Sequence, residues 1–342
     1  MKIYIVGSDK VYAIENFYVR YLRELGVEVF HFPAQSIFYD YYHKNIFNKV
    51  IFKAGLSQVI KQIASRFKKT VETFRPDVIW VFKGMELAPE TLRWAKQKGI
   101  KLVNFNGDSP FVFSGKGSGN SYVSDSIPLY DLHLTYNSWV KNKMEATFHI
   151  PAEILPFGFD IPDELYRKCT EQKEVVKACF LGNPDKHRGD FLQQLAAEGV
   201  ELDVYGNFWN NYLDHKNIKV FEPAYGDDFW LTLRRYRVQL NLMRPHNPDT
   251  HNMRSFEVPG VGGIQLATDT DDHKTYFTPG SEIFIYKDLG DCVTQVRKIL
   301  ALSQSAADAV RQNARERSLD SGYTYKARAA QALEKISKVY YV

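Results

Sequence analysis

Arg254 and Glu257 stand three positions apart in the stretch Met253-Arg-Ser-Phe-Glu-Val-Pro-Gly-Val-Gly-Gly263. On a helix that spacing puts both heads on one face. There an arginine can neutralise a diphosphate, and a carboxylate can accept hydrogen bonds from the two hydroxyls of a ribose. The pair therefore suits a nucleotide sugar, and an ordinary surface ion pair followed by a glycine cap accounts for the same spacing. A second group, Lys186, His187 and Arg188, follows Gly182 and Asn183 at a strand-to-helix turn. Basic side chains and free amides at a helix N-terminus make an anion site there. A third candidate is Asp108 in Asn106-Gly-Asp-Ser-Pro110. A carboxylate on a strand-end loop is placed for chemistry, and the same five residues also read as plain turn chemistry.

The elements that position these groups alternate between strand and helix. Lys2–Val6, an amphipathic helix to Gly26 and Val27–His31 open the chain as a βαβ unit, with one glycine in the first turn and no dinucleotide fingerprint. Strands Val78–Phe82 and Lys101–Phe105 deliver Lys83-Gly84 and the Asp108 loop to one sheet edge. Further strands are read at Asp131–Tyr136 and Ile154–Asp160. The aromatic run Ile37–His43, with Phe47, Ile51 and Phe52 beyond it, is either core packing or a surface facing an acceptor or a membrane interface. Gly115–Ser121 is glycine-rich without phosphate-loop spacing and could order over a substrate. A second series begins at Val175–Leu181 and continues through Val200–Tyr205, Ile218–Phe221, Val238–Met243, Ile264–Ala267 and Glu282–Tyr286. The expected organisation is an α/β chain of two Rossmann-like, doubly wound parallel-sheet domains facing across a cleft. The boundaries are 1–160, a polar linker at 161–174, and 175–319, with a terminal helix over about 320–342 crossing back onto the first domain.

Bulk composition narrows the function. The 342 residues carry 44 Lys plus Arg against 40 Asp plus Glu, a net charge of +4. That is too mild for a dedicated nucleic-acid binder, so nucleic acid is not expected as a partner. Three scattered cysteines without a CxxC indicate neither a disulfide framework nor structural zinc, and a cytoplasmic location fits. No apolar run is long enough to span a bilayer, so membrane contact is at most peripheral, at the inner face. Asp269-Thr-Asp271 has the form of a metal-binding DxD but reads as a solvated loop crowded by Asp272 and His273. No metal-ligating set and no cofactor are expected.

The second half resembles the CgeB-like (spore-maturation protein) family of GT-B glycosyltransferases over roughly residues 175 to 330. The resemblance is carried by Phe180-Leu-Gly-Asn183 with Arg188, Tyr205-Gly206, Tyr236-Arg-Val-Gln-Leu-Asn-Leu242, Arg254-Ser-Phe-Glu257 with Gly262-Gly263, Phe277-x-Pro-Gly-x-Glu282 and Tyr323-Thr-Tyr325-x-x-Arg328. It implies a GT-B fold and transfer of a sugar from a nucleoside-diphosphate sugar, of UDP type among the alternatives, to a hydroxyl of a glycan, lipid-linked or small-molecule acceptor. It also implies that Glu257 holds the ribose, that Arg188 and Arg254 face the diphosphate, and that backbone groups around Ala224 and Tyr225 read the base. Gly182, Asn183, Tyr205, Gly206, Ser255 and Phe256 complete the donor site so implied. Many retaining members carry a glutamate eight positions before the ribose glutamate, and here that position is Asp249. Asp108 becomes the candidate base or acceptor-orienting group, in a metal-independent reaction with a lean to retention. A nucleotide-sugar epimerase of the same architecture and a non-catalytic nucleotide-sugar-binding protein are the rival readings.

Overall fold

The structure, a computed structural model, describes residues 1–113, 118–244 and 249–340. Two compact units account for the chain, Met1–Pro156 with Tyr325–Val342, and Phe157–Thr324.

The first unit is built on six parallel strands, β1 Lys2–Val6, β2 Glu28–Phe32, β3 Val78–Phe82, β4 Lys101–Asn106, β5 Leu132–Thr135 and β6 Ala152–Ile154, in the order β2-β1-β3-β4-β5-β6. All five residues of β3 are buried, as a strand covered on both faces requires. The helix Val59–Phe74 buries Val59, Ile63, Phe67 and Val71, one residue per turn, and these join the β1 and β3 side chains in the core. The terminal helix Tyr325–Tyr340 belongs to this unit, and Tyr325 stacks on Phe17 of the first helix at 4.6 Å and 10°.

The second unit repeats the plan with β7 Val175–Leu181, β8 Leu202–Tyr205, β9 Ile218–Phe221, β10 Tyr236–Asn241, β11 Gln265–Thr268 and β12 Phe284–Tyr286. Their order is β12-β11-β10-β7-β8-β9, all parallel. The core packs Leu192, Leu195 and Trp209 against Val238, Leu240 and Leu266. Helix Arg254–Gly260 turns into β11 through Gly262 at φ +70°, a left-handed position that glycine occupies without a Cβ clash. Together these describe two Rossmann-like parallel sheets in one chain.

The aromatic run folds into two helices, Ala34–His43 and Ile46–Lys53. Three local expectations need correction. The strand expected over Ile154–Asp160 lies earlier, at Ala152–Ile154. Leu155 still donates to the Thr135 carbonyl at 2.8 Å, but Pro156 has no N–H to continue the ladder. Residues 161–174 contain the helix Asp163–Glu171, whose Leu165 and Cys169 are buried, so the polar composition read as a linker is the outer face of an amphipathic helix. Asp271 and Asp272 open the helix Asp271–Tyr276, capped by Thr270, and His273 is fully buried rather than in a solvated loop. Of the glycine-rich stretch Gly115–Ser121, residues 115–117 lie outside the described residues.

Candidate functional site

The carboxyl edge of the second sheet gathers most of the expected donor residues. β7 ends at Leu181 and leads through Gly182 and Asn183 to Asp185, whose Oδ1 accepts from the Arg188 amide at 2.9 Å and caps the helix Lys186–Ala197. That cap turns Arg188 back over the sheet. Its guanidinium donates to the Leu242 carbonyl at 2.8 Å and to the Asn183 carbonyl at 3.3 Å, and lies over the Phe180 ring at 5.6 Å. Arg254 reaches the same edge from the next helix, donating from Nε to the Leu181 carbonyl at 3.3 Å and covering Phe229 at 4.4 Å.

Three guanidiniums thus share one region. Burial, with the nearby charges of Arg244 and Arg254, pushes the Arg188 pKa down to about 10 against the opposing pull of Asp185. Arginine does not shed its proton under ordinary conditions, so this pressure is unmet positive potential rather than neutralisation. Asp185 answers part of it, at 3.7 Å from Arg188 Nε and 3.8 Å from Arg244 Nε. An anion carrying more than one charge fits the remainder. A cavity of about 350 Å³ opens beside the cluster, lined among others by His187, Arg244, Asp249, Thr268, Asp269 and Tyr286.

Glu257 is 6% exposed and paired with Arg254 one turn away on the helix. Burial raises its pKa and the Arg254 charge and hydrogen bond oppose the rise. Ser255 is held in a buried polar network. Its Oγ accepts from Asn241 Nδ2 and from the Asn252 amide, each at 3.1 Å, and donates to His273 Nε2 at 2.8 Å. His273 Nδ1 in turn donates to the Thr268 carbonyl at 2.8 Å, and burial lowers the His273 pKa to about 4, so the ring is neutral. The network anchors the first turn of the helix and with it the base of Arg254. Phe256 points into an aromatic core of His251, Tyr276, Phe277 and Tyr323. His251 donates from Nδ1 to Asp272 at 2.6 Å and accepts the Phe157 amide at 3.4 Å, which ties the segment before Arg254 to this core.

The other donor candidates are placed differently. Tyr205 sends its hydroxyl into a buried chain with Tyr236, at 2.9 Å, and on to Asp203, while its ring stacks on Phe221 at 4.7 Å. Gly206 faces the site through its backbone: a Cβ there would lie 2.3 Å from the Gly182 carbonyl. Ala224 and the half-exposed Tyr225 stand on the loop after β9, with Asn207 Nδ2 donating to the Tyr225 hydroxyl at 3.4 Å. Asp249 is exposed at a left-handed φ of +51° on the cavity rim.

In the first unit Asp108 follows β4 and receives the Lys83 ammonium at 2.7 Å. Lys83 itself has φ +59° at the end of β3, and such strain in a non-glycine residue at a sheet edge persists only where the surroundings enforce it. Two buried carboxylates accompany the pair. Glu15 accepts the Ser8 amide at 2.9 Å, and Glu86 is 6% exposed with its pKa raised to about 7, by burial first and by Glu15, against the pull of Lys83. Sequence reasoning missed Lys83, Glu15 and Glu86 as a group. The available signal was partial: Lys83 and Glu86 lie in the turn after one parallel strand, while Glu15 lies in the first turn of the helix Ile14–Glu24 that follows the Gly7-Ser8 turn of another.

Among the described residues no group of three His, Cys, Asp or Glu is placed to hold a metal ion, and no helix is long and apolar enough to cross a membrane.

Comparisons with known proteins bear on the fold and the family. Residues 188–334 match the family described as glycosyl transferase-like, a segment that contains Arg188, Arg254 and Glu257. Among solved structures the chain is similar to sucrose-phosphate synthase from Thermosynechococcus elongatus, with TM-score 0.68, 11% identity and 99% of each chain covered. It is similar to HepE from Anabaena in complex with UDP-glucose, with TM-score 0.66, 11% identity, and 99% of this chain and 100% of that one covered. A UDP-N-acetylglucosamine 2-epimerase from Listeria monocytogenes, itself named as putative, also shares the fold, with TM-score 0.58, 12% identity, and coverage of 98% and 95%. Curated proteins give no match. Fold and family match together point to one class, a glycosyltransferase with the GT-B fold.

Proposed function

We propose that the protein transfers a sugar from a uridine-diphosphate sugar to an acceptor hydroxyl by a metal-independent route, and that it is a CgeB-like member of its class. The observation that carries this reading is the convergence of Arg188, Arg254 and Glu257 at the carboxyl edge of the second sheet, inside the family-matched segment. UDP is the first nucleoside diphosphate to test because HepE, of similar fold, was crystallised with UDP-glucose.

The barrier in such a transfer is departure of a charged diphosphate from a cation-like sugar carbon. Arg188 and Arg254 supply fixed positive charge at the leaving group, and the free amides of the helix Lys186–Ala197 add to it. Glu257 accepts the ribose hydroxyls, Gly182, Asn183 and Gly206 approach the phosphates through the backbone, and Ala224 and Tyr225 contact the base. Ser255 and Phe256 hold the helix that presents Arg254 and Glu257. Asp249 takes the donor-sugar position that a glutamate fills in many retaining members. Retention follows if the leaving phosphate takes the acceptor proton, and Asp108 then orients the acceptor rather than deprotonating it.

The protein works in the cytoplasm on a glycan, lipid-linked or small-molecule acceptor, with at most peripheral contact with the inner membrane face. Thermal-shift screening against nucleoside diphosphates and their sugars tests the donor assignment, with UDP and UDP-sugars expected to raise the melting temperature. Product analysis with donor alone separates transfer from epimerisation: slow hydrolysis is expected, and rapid interconversion of free UDP-sugars would establish the epimerase. No nucleotide binding at all would overturn the reading.

A further inference from the structure

The helix Ile46–Lys53 is turned inside out. Asn45 caps it by accepting the Asn48 amide at 2.8 Å, Asn48 Nδ2 donates to the Tyr41 carbonyl at 2.7 Å, and Phe52 packs on Phe38 at 4.9 Å and on Tyr42 at 5.7 Å. Asn48 and Phe52, four residues apart, are therefore the inward face. The outward face carries Ile46, Phe47, Val50 and Ile51, which are 67%, 72%, 57% and 39% exposed. A helix in a water-facing protein ordinarily buries that stripe. Leu56, 70% exposed, continues the apolar surface past the helix end.

The chain segment that carries the stripe has charge of one sign. Residues 41–71 contain no Asp or Glu and carry Lys44, Lys49, Lys53, Lys61, Arg66, Lys68 and Lys69. Those seven positive charges exceed the net +4 of the whole chain, so the remainder sums to −3 (4 minus 7). Among the described residues none of the seven forms an ion pair, whereas lysines elsewhere in the same unit, such as Lys83, Lys96, Lys98 and Lys141, each meet a carboxylate.

We propose that the helix Ile46–Lys53 is a docking surface for an anionic lipid bilayer, with Ile46, Phe47, Val50 and Ile51 entering the headgroup boundary and Lys44, Lys49 and Lys53 meeting lipid phosphates. Exposed aliphatic and aromatic side chains with Lys44, Lys49 and Lys53 beside them in the chain match a surface that is apolar below and negatively charged above. Lysine stems lie along the apolar layer while their ammonium groups stay at its rim. Two turns of helix make a shallow, reversible contact. The inference gives the peripheral membrane contact of the proposed function a place and a lipid class. It rests on that reading only there, since vesicle binding is measured without any transfer.

The test is co-sedimentation of the full chain with vesicles of phosphatidylcholine alone and of phosphatidylcholine mixed with phosphatidylglycerol. Binding is expected to the mixed vesicles only and to weaken with salt. Phe47→Asp with Val50→Asp should abolish it, and Lys49→Gln and Lys53→Gln should each weaken it by about fivefold. All four sites are solvent-facing or at the rim, so melting temperature and UDP binding should match wild type, which separates failure here from failure of the donor assignment. Equal binding to both vesicle types, no binding to either, or wild-type binding by the Asp pair would overturn the proposal. So would a concentration-dependent dimer that the Asp pair dissolves, which would make a second copy of the chain the occupant.

Discussion

Arg254 and Glu257 are bound to each other across one turn of the helix Arg254–Gly260, guanidinium to carboxylate, with the carboxylate almost wholly out of water. Each is thus held ready rather than free, and a ribose bound as proposed would donate to a carboxylate that is already ordered. Glu257→Ala leaves Arg254 without its anion and removes the proposed ribose acceptor. Nucleotide affinity is expected to fall by about tenfold to a hundredfold, the range for losing a hydrogen bond to a charged group. Calorimetric titration with UDP checks this, and an unchanged affinity would remove the ribose role from Glu257.

Asp108 offers a different separation of effects. Its carboxylate is engaged by Lys83, in a unit distinct from the one that holds Arg188 and Arg254. Asp108→Asn keeps the size and turn-forming capacity and removes the charge. UDP affinity should stay within about twofold while transfer falls by roughly a hundredfold or more, in the range for loss of a positioned acid or base. A similar loss in Lys83→Met would identify the ion pair, rather than the carboxylate alone, as the working unit. Transfer at the wild-type rate in Asp108→Asn would exclude both roles proposed for this residue.

The alternation of strand and helix was legible because buried parallel strands read as continuous apolar runs, as Val78–Phe82 and Val175–Leu181 do. The Arg254/Glu257 turn was legible because helical spacing and a glycine pair are local signals. What stayed hidden depends on partners distant in the chain. Nothing local marks His273 as a neutral, buried acceptor of the Ser255 hydroxyl, since the ring is defined by Thr268 and Ser255 together. Glu15 and Glu86 are 71 positions apart and become one electrostatic group only when β1 and β3 pair. The helix Asp163–Glu171 was read as linker because its few buried residues are outnumbered by charges on the exposed face.

Gly206 tests how tightly the proposed phosphate side of the site is packed. Its φ of +152° and the 2.3 Å gap between a Cβ at 206 and the Gly182 carbonyl leave no room for alanine. Gly206→Ala must displace the turn after β7, which also accepts the Trp209 indole N–H at 2.9 Å. A destabilisation of roughly 1 to 3 kcal/mol is expected, with weaker UDP binding at temperatures where the fold persists. A denaturant melt with the wild-type midpoint would show that the backbone there has slack.

His273 makes the second unit sensitive to acid. Its folded pKa of about 4 lies below the ordinary value of 6.5, so the unfolded chain binds the proton first and stability is lost as pH falls from about 6.5 towards 4. The full effect is up to about 3 kcal/mol. His133 of the first unit, likewise held neutral by burial at about 4, contributes in the same direction. His273→Gln should flatten the fall of the melting temperature between about pH 6.5 and 4 without abolishing it. An unaltered slope would mean that this ring stays accessible to protons in the folded chain.

Glu86 acts with the opposite sign. Its folded pKa of about 7 stands above the ordinary 4.5, because burial and the neighbouring Glu15 disfavour the charge more than Lys83 relieves it. Between those values the folded state holds a proton that the unfolded chain releases, so stability is greatest below about pH 4.5 and declines as pH rises through about 7. The loss approaches 3 kcal/mol in order of magnitude at most. Glu86→Gln keeps the neutral shape without the titration. It should match wild type in urea melts near pH 5 and exceed it by about 1 to 3 kcal/mol near pH 8. The gain should disappear in a Glu15→Gln background to the extent that the two carboxylates oppose each other. If Glu86→Gln changes stability equally at both pH values, Glu86 is ionised in the folded protein and some group other than Lys83 must hold its charge.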